Sequence, residues 1–365
     1  MNIPKLRFKD NNGNDYPQWE KKLIKDILKI YHGKDYKNEP NEKKLYPVLG
    51  TGGIITYIDK FLCDWECVLI GRKGTINKPQ YMKTPFWSVD TLFYSKPKLK
   101  QNPKFQYYLF QNINWKIYDE STGVPSLSAS TIEHINRFIP TYAEQEKIAS
   151  FFSTIDKKIE NLTNTITSLE NQKKGLLQQI FSQKLRFKDE NGNNYPNWEK
   201  KKLGDIATLK NGISKSNEAF GHGKKFINLQ DIFNKSYIFN GNYSLVDVTE
   251  KELSENNLLK GDVLFVRSSV KREGVGLSCV IMENLIDTVY SGFIIRCRFN
   301  INENIYLHYK KYCFLEFSFR KALLKKSSSS ANTNINQDNL SKLYVKLPCL
   351  EEQTKIADFL SAFDR

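Results

Sequence analysis

The sequence lacks the short motifs on which most common active sites depend. It contains no G-x4-GK[ST] phosphate loop, no HExxH pair, no G-x-S-x-G turn and no Asp/Asn-Pro-Pro-aromatic tetrad. These absences argue against the usual triphosphatases, zinc proteases, α/β-hydrolases and adenine methyltransferases. Histidine is scarce, and its four copies are isolated along the chain: His32, His134, His222 and His308. We therefore predict no catalytic residue.

Cysteine and long apolar runs are equally sparse. Of six cysteines only Cys63 and Cys67 lie close together, and no CxxC pair or neighbouring histidine completes a zinc site. The sequence has no run of the roughly 18 apolar residues that a transmembrane helix needs, and no signal-peptide apolar region. We predict free thiols in a reducing cytoplasm, no bound metal and no membrane attachment.

Acidic residues are too few to balance the basic ones. Lys and Arg number 55 against 40 Asp and Glu, which gives a net charge of +15 and a pI near 9.3. A protein this basic is attracted to polyanions such as nucleic acid. The alternative is that the lysines are spread evenly over solvated faces. The 365 residues suffice for roughly two domains.

The strongest feature of the sequence is an internal repeat. Lys5–Ile27 recurs at Lys184–Ile206 without gaps, and the two copies match at 17 of 23 positions. A second pattern, Pro-x-x-x-Glu-Gln-x-Lys-Ile-Ala-x-Phe, occurs at Pro140–Phe151 and again at Pro348–Phe359. Repeats of this kind indicate repeated structural units. The chain therefore contains two tandem units with similar borders and unrelated interiors, which favours one scaffold carrying two different recognition surfaces.

Residues 142–182 have the heptad pattern of one long helix. Its apolar seam consists of Ile148, Phe152, Ile155, Ile159, Leu162, Ile166, Leu169, Leu176 and Ile180. Only Lys173 interrupts the seam, and Thr141 and Glu144 have the spacing of a capping box. About 40 residues would make a helix about 60 Å long, whose seam needs a partner helix. The alternative is a helix packed on its own globular domain.

The rest of the chain predicts an α+β fold. The interiors at 28–139 and 207–347 contain short β-rich runs between Gly, Asn and Pro turns. The helix that begins after Pro348 reaches the end of the sequence at Arg365, so we expect a truncated second long helix. The predicted order is a strand-rich domain at 1–140, the long helix at 141–183, a second strand-rich domain at 184–347 and the truncated helix at 348–365.

Basic loops that follow apolar strands are the best candidates for binding DNA. In the first unit they offer Arg72, Lys73 and Lys78, with Thr122 in a later loop. The candidates of the second unit are Arg267, Ser268, Ser269, Lys271, Arg272, Lys325 and Lys326. Arginine pairs with guanine through two hydrogen bonds, while Lys and Ser commonly contact phosphates. The alternatives are ordinary basic turns and, before each proline, a flexible linker.

Two variable regions, each followed by the same motif and a helix, resemble the specificity subunit of a type I restriction-modification system. The motif residues are Ile139-Pro140, Glu144-Gln145, Ile148-Ala149, Phe152 and Asp156, repeated as Leu347-Pro348, Glu352-Gln353, Ile356-Ala357, Leu360 and Asp364. The similar borders at Lys5–Trp19 and Lys184–Trp198 also fit that family. The resemblance covers essentially the whole chain.

The resemblance implies two target-recognition domains, each reading one half of a split double-stranded DNA site, with antiparallel helices as a coiled-coil spacer. It implies assembly with two adenine-N6 methyltransferase subunits and with restriction subunits. S-adenosylmethionine, ATP and Mg²⁺ would be bound by those partners and not by this chain. The implied helix and methyltransferase interface comprises Glu144, Gln145, Ile148, Phe152, Ile155, Ile159, Leu162, Glu352, Gln353 and Ile356.

Two other functions stay open at this point. One is a coiled-coil DNA-binding scaffold without sequence specificity, which would show no preference in competition binding. The other is a nuclease with a dispersed active site, which would cleave DNA by itself. The bases in the target and the length of its spacer do not follow from the sequence.

Overall fold

The computed structural model describes residues 4–233, 235–329 and 332–364, which form two compact units. The first unit ends at Thr163 and the second begins at Asn164, so the division falls inside the long helix. The sequence predicted boundaries at the two ends of this helix instead. Each end, however, contributes to the core of a unit, Ala149 to the first and Ile180 to the second.

The first unit contains three small sheets. Its strands are β1 (Glu20–Leu23), β2 (Leu28–Tyr31), β3 (Tyr46–Gly50), β4 (Gly53–Ile58), β5 (Cys67–Gly71), β6 (Gln80–Met82), β7 (Trp87–Ser88), β8 (Leu92–Pro97) and β9 (Asn136–Ile139). Its helices are α1 (Ile24–Ile27), α2 (Pro103–Gln111), α3 (Ala129–Glu133) and the first part of α4 (Tyr142–Phe181). The sheet orders are β2-β8-β5-β6, β4-β3-β7 and β1-β9. Every residue of the inner strand β5 is buried, as its apolar sequence predicts.

The second unit is larger. Its strands are β10 (Glu199–Lys202), β11 (Ala207–Asn211), β12 (Phe220–Ile227), β13 (Tyr237–Ile238), β14 (Ser244–Val246), β15 (Val263–Val266), β16 (Ser268–Ser269), β17 (Ser278–Ile281), β18 (Thr288–Tyr290), β19 (Ile294–Phe299), β20 (Ser328–Ser329), β21 (Thr333–Asn334) and β22 (Tyr344–Leu347). Its helices after α4 are α5 (Leu203–Ile206), α6 (Leu229–Ile232), α7 (Glu250–Glu255), α8 (Tyr309–Cys313), α9 (Phe317–Lys326), α10 (Gln337–Ser341) and α11 (Leu350–Ser361).

The two units share a sheet topology that their interior sequences do not reveal. The order β2-β8-β5-β6 corresponds to β11-β19-β15-β17, to which the second unit adds β13 at one edge. The parallel pair β3 and β7 corresponds to β12 and β18, and the ribbon β1-β9 to β10-β22. The second unit also inserts α6 and α7 between β12 and β15. The predicted α+β fold with strand-rich interiors is confirmed.

The predicted long helix is confirmed as α4. Its seam is buried at Ile180 and partly buried at Leu176, but the seam residues from Phe152 to Leu169 are exposed. Lys173 interrupts the seam because it forms an ion pair with Asp364 of its own unit. The second helix, α11, is followed by a 3-10 turn that reaches Asp364, and Arg365 lies outside the described residues.

In each unit, one glycine allows the loop after the first strand of the main sheet to pack closely against another loop of the same unit. A Cβ atom on Gly33, after β2, would lie 2.0 Å from the carbonyl oxygen of Val89. A Cβ atom on Gly212, after β11, would lie 2.0 Å from the carbonyl oxygen of Tyr290. Each glycine therefore packs against the turn that leads into β8 or β19. No other residue fits without displacing that turn.

Replacing Gly212 with alanine should destabilise the second unit. We expect Gly212→Ala to lower the free energy of unfolding by about 1–3 kcal/mol, the usual effect of overpacking. Gly175→Ala is the matched control, because a Cβ there meets no atom within 4 Å. In a helix interior that change should stabilise by up to about 1 kcal/mol. Urea denaturation measures both, and equal effects of the two substitutions would contradict the close approach.

Candidate nucleic-acid interface

Arg267 joins three segments of the second unit. It directly follows the buried strand β15, and its backbone N–H donates to the carbonyl of Phe293, 2.8 Å away. Its guanidinium Nη1 donates to the carbonyl of Gly292 at 3.1 Å. Its own carbonyl accepts a hydrogen bond from the N–H of Ile335 at 3.0 Å. The end of β15, the turn before β19 and the segment before α10 therefore meet at this arginine.

Arg72 makes the same three hydrogen bonds in the first unit. Its N–H donates to the carbonyl of Thr91 at 2.8 Å, and its Nη1 donates to the carbonyl of Asp90 at 3.3 Å. Its carbonyl accepts from the N–H of Leu127 at 2.9 Å. We call this arrangement, Arg72 or Arg267 with its three backbone partners, the arginine junction. The two junctions occupy the same point of the shared topology, after β5 and after β15.

In each arginine junction, backbone hydrogen bonds hold the arginine in place, and its guanidinium keeps donors that are free to bind a ligand. Both side chains are half-buried. A guanidinium has five N–H donors in a fixed plane, and the observed hydrogen bonds to Asp90 and Gly292 each engage one terminal nitrogen. Such a group pairs with O6 and N7 of guanine in the major groove. The structure thus brings the two predicted arginines into equivalent and chemically suitable positions.

The other predicted residues of the first unit lie on exposed loops. Lys73, Lys78 and Thr122 are all exposed. Lys73 forms a backbone bridge with Ser126, so the loop that contains Thr122 lies beside the one that carries Lys73. Two separate stretches of the sequence therefore meet next to Arg72, and the exposed carboxylate of Asp119 binds the loop that contains Ser126.

The predicted residues of the second unit meet in a small three-stranded sheet. Strand β16 pairs with β21, and β21 also pairs with β20, which begins at Ser328, two positions after Lys326. The cations around this sheet are exposed: Lys271, Arg272, Lys325 and Lys326. Ser269 is half-buried and Ser268 is buried, and both line the groove described next.

Sequence reasoning missed an apolar groove beside Arg267. It has a volume of about 870 Å³, and Val270 and Phe293 line it although both are exposed. Its floor includes Phe233 and Leu277. Phe293 precedes an apolar stretch that forms β19, and its sequence context gives no sign that its side chain is exposed. Its correspondence with Thr91 appears only in the hydrogen bonds of the two arginine junctions, so no signal in the sequence marks it.

The repeated borders come together at a buried ion pair in the second unit. Arg186 donates from Nε and Nη2 to the two oxygens of Glu352, at 3.1 and 2.7 Å. Trp198 donates from its indole nitrogen to the same carboxylate at 2.9 Å. The hydrogen bond with Glu352 raises the pKa of Arg186. Two-point pairing of this kind is strong and directional, so it fixes the N-terminal border against the start of α11.

The first unit contains the same arrangement. Arg7 donates to both oxygens of Glu144 at 3.1 and 2.7 Å, and the indole nitrogen of Trp19 donates at 3.0 Å. We call this arginine, tryptophan and glutamate the border clamp of each unit. The predicted capping box is wrong, because the Glu144 carboxylate serves the clamp and the Thr141 hydroxyl has no hydrogen-bond partner.

The glutamine that follows each clamp glutamate ties the helix to its own interior domain. Gln353 donates to the carbonyl of Pro348 at 2.9 Å and accepts from the N–H of Tyr306 at 2.8 Å. Gln145 donates to the carbonyl of Pro140 at 3.0 Å and accepts from the N–H of Asn102 at 3.0 Å. Both side chains are buried.

This burial corrects part of the predicted methyltransferase interface. Five of its members are buried inside their own units and are not available to another protein: Glu144, Gln145, Glu352, Gln353 and Ile356. Ile148 is half-buried against the first core. The exposed members are Phe152, Ile155, Ile159 and Leu162. Only these four keep the predicted availability to a partner.

Neither a metal centre nor a membrane segment is found in residues 4–233, 235–329 and 332–364. No group of three or more His, Cys, Asp or Glu side chains there has a metal-binding arrangement. No helix in these ranges is both long and apolar enough to cross a membrane.

Comparisons with known proteins agree on one family. The model of the type I restriction modification DNA specificity domain matches residues 16–171 and 195–365. The chain is 24% identical over 399 residues to the specificity subunit of type I restriction enzyme MjaVIII from Methanocaldococcus jannaschii, covering 98% of this chain and 89% of that relative. The Escherichia coli EcoprrI specificity subunit is 25% identical over 174 residues, which cover 46% of this chain and 41% of the relative.

A solved structure supports the fold. The S subunit of a type I restriction-modification system from M. genitalium aligns with a TM-score of 0.60 and 17% identity, covering 99% of this chain and 92% of that chain. At this identity the similarity concerns the fold alone. The two-unit architecture around a long helix is therefore shared with a crystal structure.

Because of the border clamp, we expect the nearly isosteric substitution Glu352→Gln to lower the free energy of unfolding substantially. Glu352→Gln leaves Arg186 without its charged partner, and loss of one member of a buried pair typically costs about 3–5 kcal/mol. We expect a value near the lower end, about 3 kcal/mol, because the Arg186 side chain keeps 19% of its exposure. Chemical denaturation followed by tryptophan fluorescence measures the change, since Trp198 touches the same carboxylate.

Glu351→Gln is the control for this experiment. Glu351 precedes the clamp glutamate in α11 but is exposed, so its loss should change the free energy of unfolding by no more than about 0.5 kcal/mol. Similar stability of the two variants would show that the clamp does not hold the unit together.

Proposed function

This chain belongs to the type I restriction-modification DNA specificity family, and from that membership we propose that each of its units recognises one half of a divided DNA target. The chain is a DNA sequence-recognition subunit and not an enzyme. The observation that carries the proposal is the arginine junction, which places Arg72 and Arg267 at equivalent points of two otherwise different surfaces. Guanine contacts from these two side chains would give each unit one specific base pair.

The surrounding cations supply the part of binding that does not depend on sequence. Lys73 and Lys78 in the first unit, and Lys271 and Arg272 in the second, are exposed on loops near the junctions. Contacts from such residues to phosphates position a protein on the duplex. A scaffold without specificity is not favoured, because a cation held by three backbone segments is better suited to directional contacts.

The two half-sites should differ. The junctions share their backbone, but Asp90 and Thr91 in the first unit stand where the second has Gly292 and Phe293. The second unit also adds α6, α7 and the β16-β21-β20 sheet. A common scaffold with different side chains around each arginine supports recognition of two different sequences.

The exposed part of the helix seam supports the proposed assembly with other subunits. Phe152, Ile155, Ile159 and Leu162 are large apolar side chains in contact with solvent. They are 37–58% exposed, so burial of the remaining surface would contribute about half of the roughly 1.5–3 kcal/mol that full burial of each gives. We propose that a partner helix and methyltransferase subunits, two per chain, cover this surface, and that restriction subunits join them. S-adenosylmethionine, ATP and Mg²⁺ would belong to those subunits, in the cytoplasm, where the buried free thiols of this chain stay reduced.

Arg267→Ala should weaken specific DNA binding by about 1–3 kcal/mol and relax the sequence at one position of one half-site. Arg72→Ala should do the same in the other half-site. Arg267→Lys is the matched control, because lysine keeps the charge but not the planar fork. It should lose the same base preference while its salt dependence stays close to that of the wild type. Selection from randomised duplex DNA, followed by titration, measures both quantities.

Lys271→Ala should behave differently. A phosphate contact carries no sequence information, so binding should weaken about equally for all sequences, and the salt slope should fall by about one unit. Titrations at several salt concentrations test this. Unchanged affinity, sequence preference and salt dependence in all three variants, Arg72→Ala, Arg267→Ala and Lys271→Ala, would remove these loops from the interface.

A further inference from the structure

The apolar groove of the second unit has two exposed walls. Val270 is 83% exposed and Phe293 is 58% exposed, and both line the groove of about 870 Å³. Phe233 and Leu277 lie deeper in it. A large aromatic side chain in solvent is unfavourable by itself, and an exposed apolar patch with a polar rim is typical of a binding surface. The groove is therefore a candidate contact surface and not a packing defect.

The position of Phe293 is fixed by the arginine junction. Its carbonyl accepts the backbone N–H of Arg267, and the carbonyl of Gly292 accepts the Arg267 guanidinium. One hydrogen bond thus joins Arg267 to Phe293 itself, and a second joins it to the adjacent Gly292. A ligand that contacts one of these side chains comes within reach of the other.

Charge around the groove identifies the kind of ligand. Ser269, Lys271 and Glu273 line it, and Arg272 is exposed between the last two. Two of the three charged residues, Lys271 and Arg272, are cations. An apolar wall with cations on its rim is complementary to the edge of a DNA base beside its phosphates.

We propose that Phe293 and Val270 contact the 5-methyl group of a thymine, in the same half-site as the base that Arg267 contacts. This inference rests on the proposed function. Thymine is the one base that presents a methyl group in the major groove, and apolar side chains such as phenylalanine recognise it. The second unit would then recognise a guanine through Arg267 and a thymine methyl group through Phe293, two residues that are hydrogen-bonded to each other.

The first unit lacks this contact. Thr91 occupies the position of Phe293, with its carbonyl hydrogen-bonded to Arg72 in the same way. It is half-buried and has no ring, and Asp90 adds an exposed carboxylate in the place of Gly292. The contact from an exposed aromatic ring is therefore a property of the second half-site and one source of the difference between the two.

Deoxyuridine provides a direct test, because it differs from thymidine only in lacking the methyl group. The target is first obtained by selection from randomised DNA with the full chain. Each thymine of the half-site that Arg267→Ala relaxes is then replaced singly by deoxyuridine, and the dissociation constant is measured. At one position the wild type should bind about fourfold more weakly, the factor that burial of one methyl-sized group gives.

Phe293→Ser should bind the thymine and deoxyuridine forms of that site equally well. Val270→Ser is a second variant that leaves the core intact, because Val270 is on the surface, and it should reduce the same difference. Ile286→Ser is the matched control: Ile286 belongs to this unit and is 82% exposed, but it does not line the groove. It should keep the full fourfold preference.

The outcomes separate this inference from the proposed function. Specific binding that no deoxyuridine substitution weakens would overturn the methyl contact and leave DNA recognition standing. A fourfold effect that persists in both Phe293→Ser and Val270→Ser would overturn the assignment to this groove. Selection that yields no preferred sequence would refute both.

Discussion

A buried carboxylate that binds an arginine and a tryptophan is the constraint on which each unit depends. Glu144 and Glu352 are inaccessible to solvent, and an ionised carboxylate in such a place is tolerated only with matching donors. The borders supply them, since Arg7 and Trp19 in one unit, and their counterparts in the other, converge on the start of a helix. This requirement accounts for the arginine and the tryptophan among the 17 of 23 border positions at which the two units match.

The border clamp also explains how a variable surface keeps a fixed position. It locks the first strands and the helix start, and the adjacent glutamine ties the helix to the interior domain. Between these points the chain is free to change its loops, provided that the inner strands β5 and β15 stay buried. Arg72 and Arg267 follow those strands directly, so they inherit a defined position from the core. Specificity can then vary through neighbours such as Asp90 and Phe293 without disturbing the frame.

Sequence patterns predicted those elements that depend on residues close together in the sequence. The long helix was predicted over 142–182 and is observed over Tyr142–Phe181, because heptad periodicity reports one continuous apolar face. The basic loops were found because each follows an apolar strand. Tertiary partners were not visible: Glu144 has the spacing of a capping box, yet an arginine 137 residues away binds it. Exposure of Phe293 was equally hidden, since a pattern of apolar residues does not tell which of them lies at a turn. The shared topology of the interiors was also not predicted. The same strand order needs only that the inner strands are apolar enough to be buried, and it does not need the same residues.

The central claim is that the borders are a common frame and that each interior alone determines one half-site. The most direct measurement exchanges an interior within this chain, replacing residues 28–139 with a second copy of residues 207–347, which begins and ends at equivalent points of the repeat. The clamp contacts are the same in both units, but the second interior also packs on Ile180 and Phe181 at the end of α4. A copy of residues 176–183 is therefore placed directly before Lys5, and the chimera should then fold. Selection from randomised duplex DNA should then yield a target in which both halves carry the sequence of the second unit. A first half that keeps its original sequence would contradict the claim.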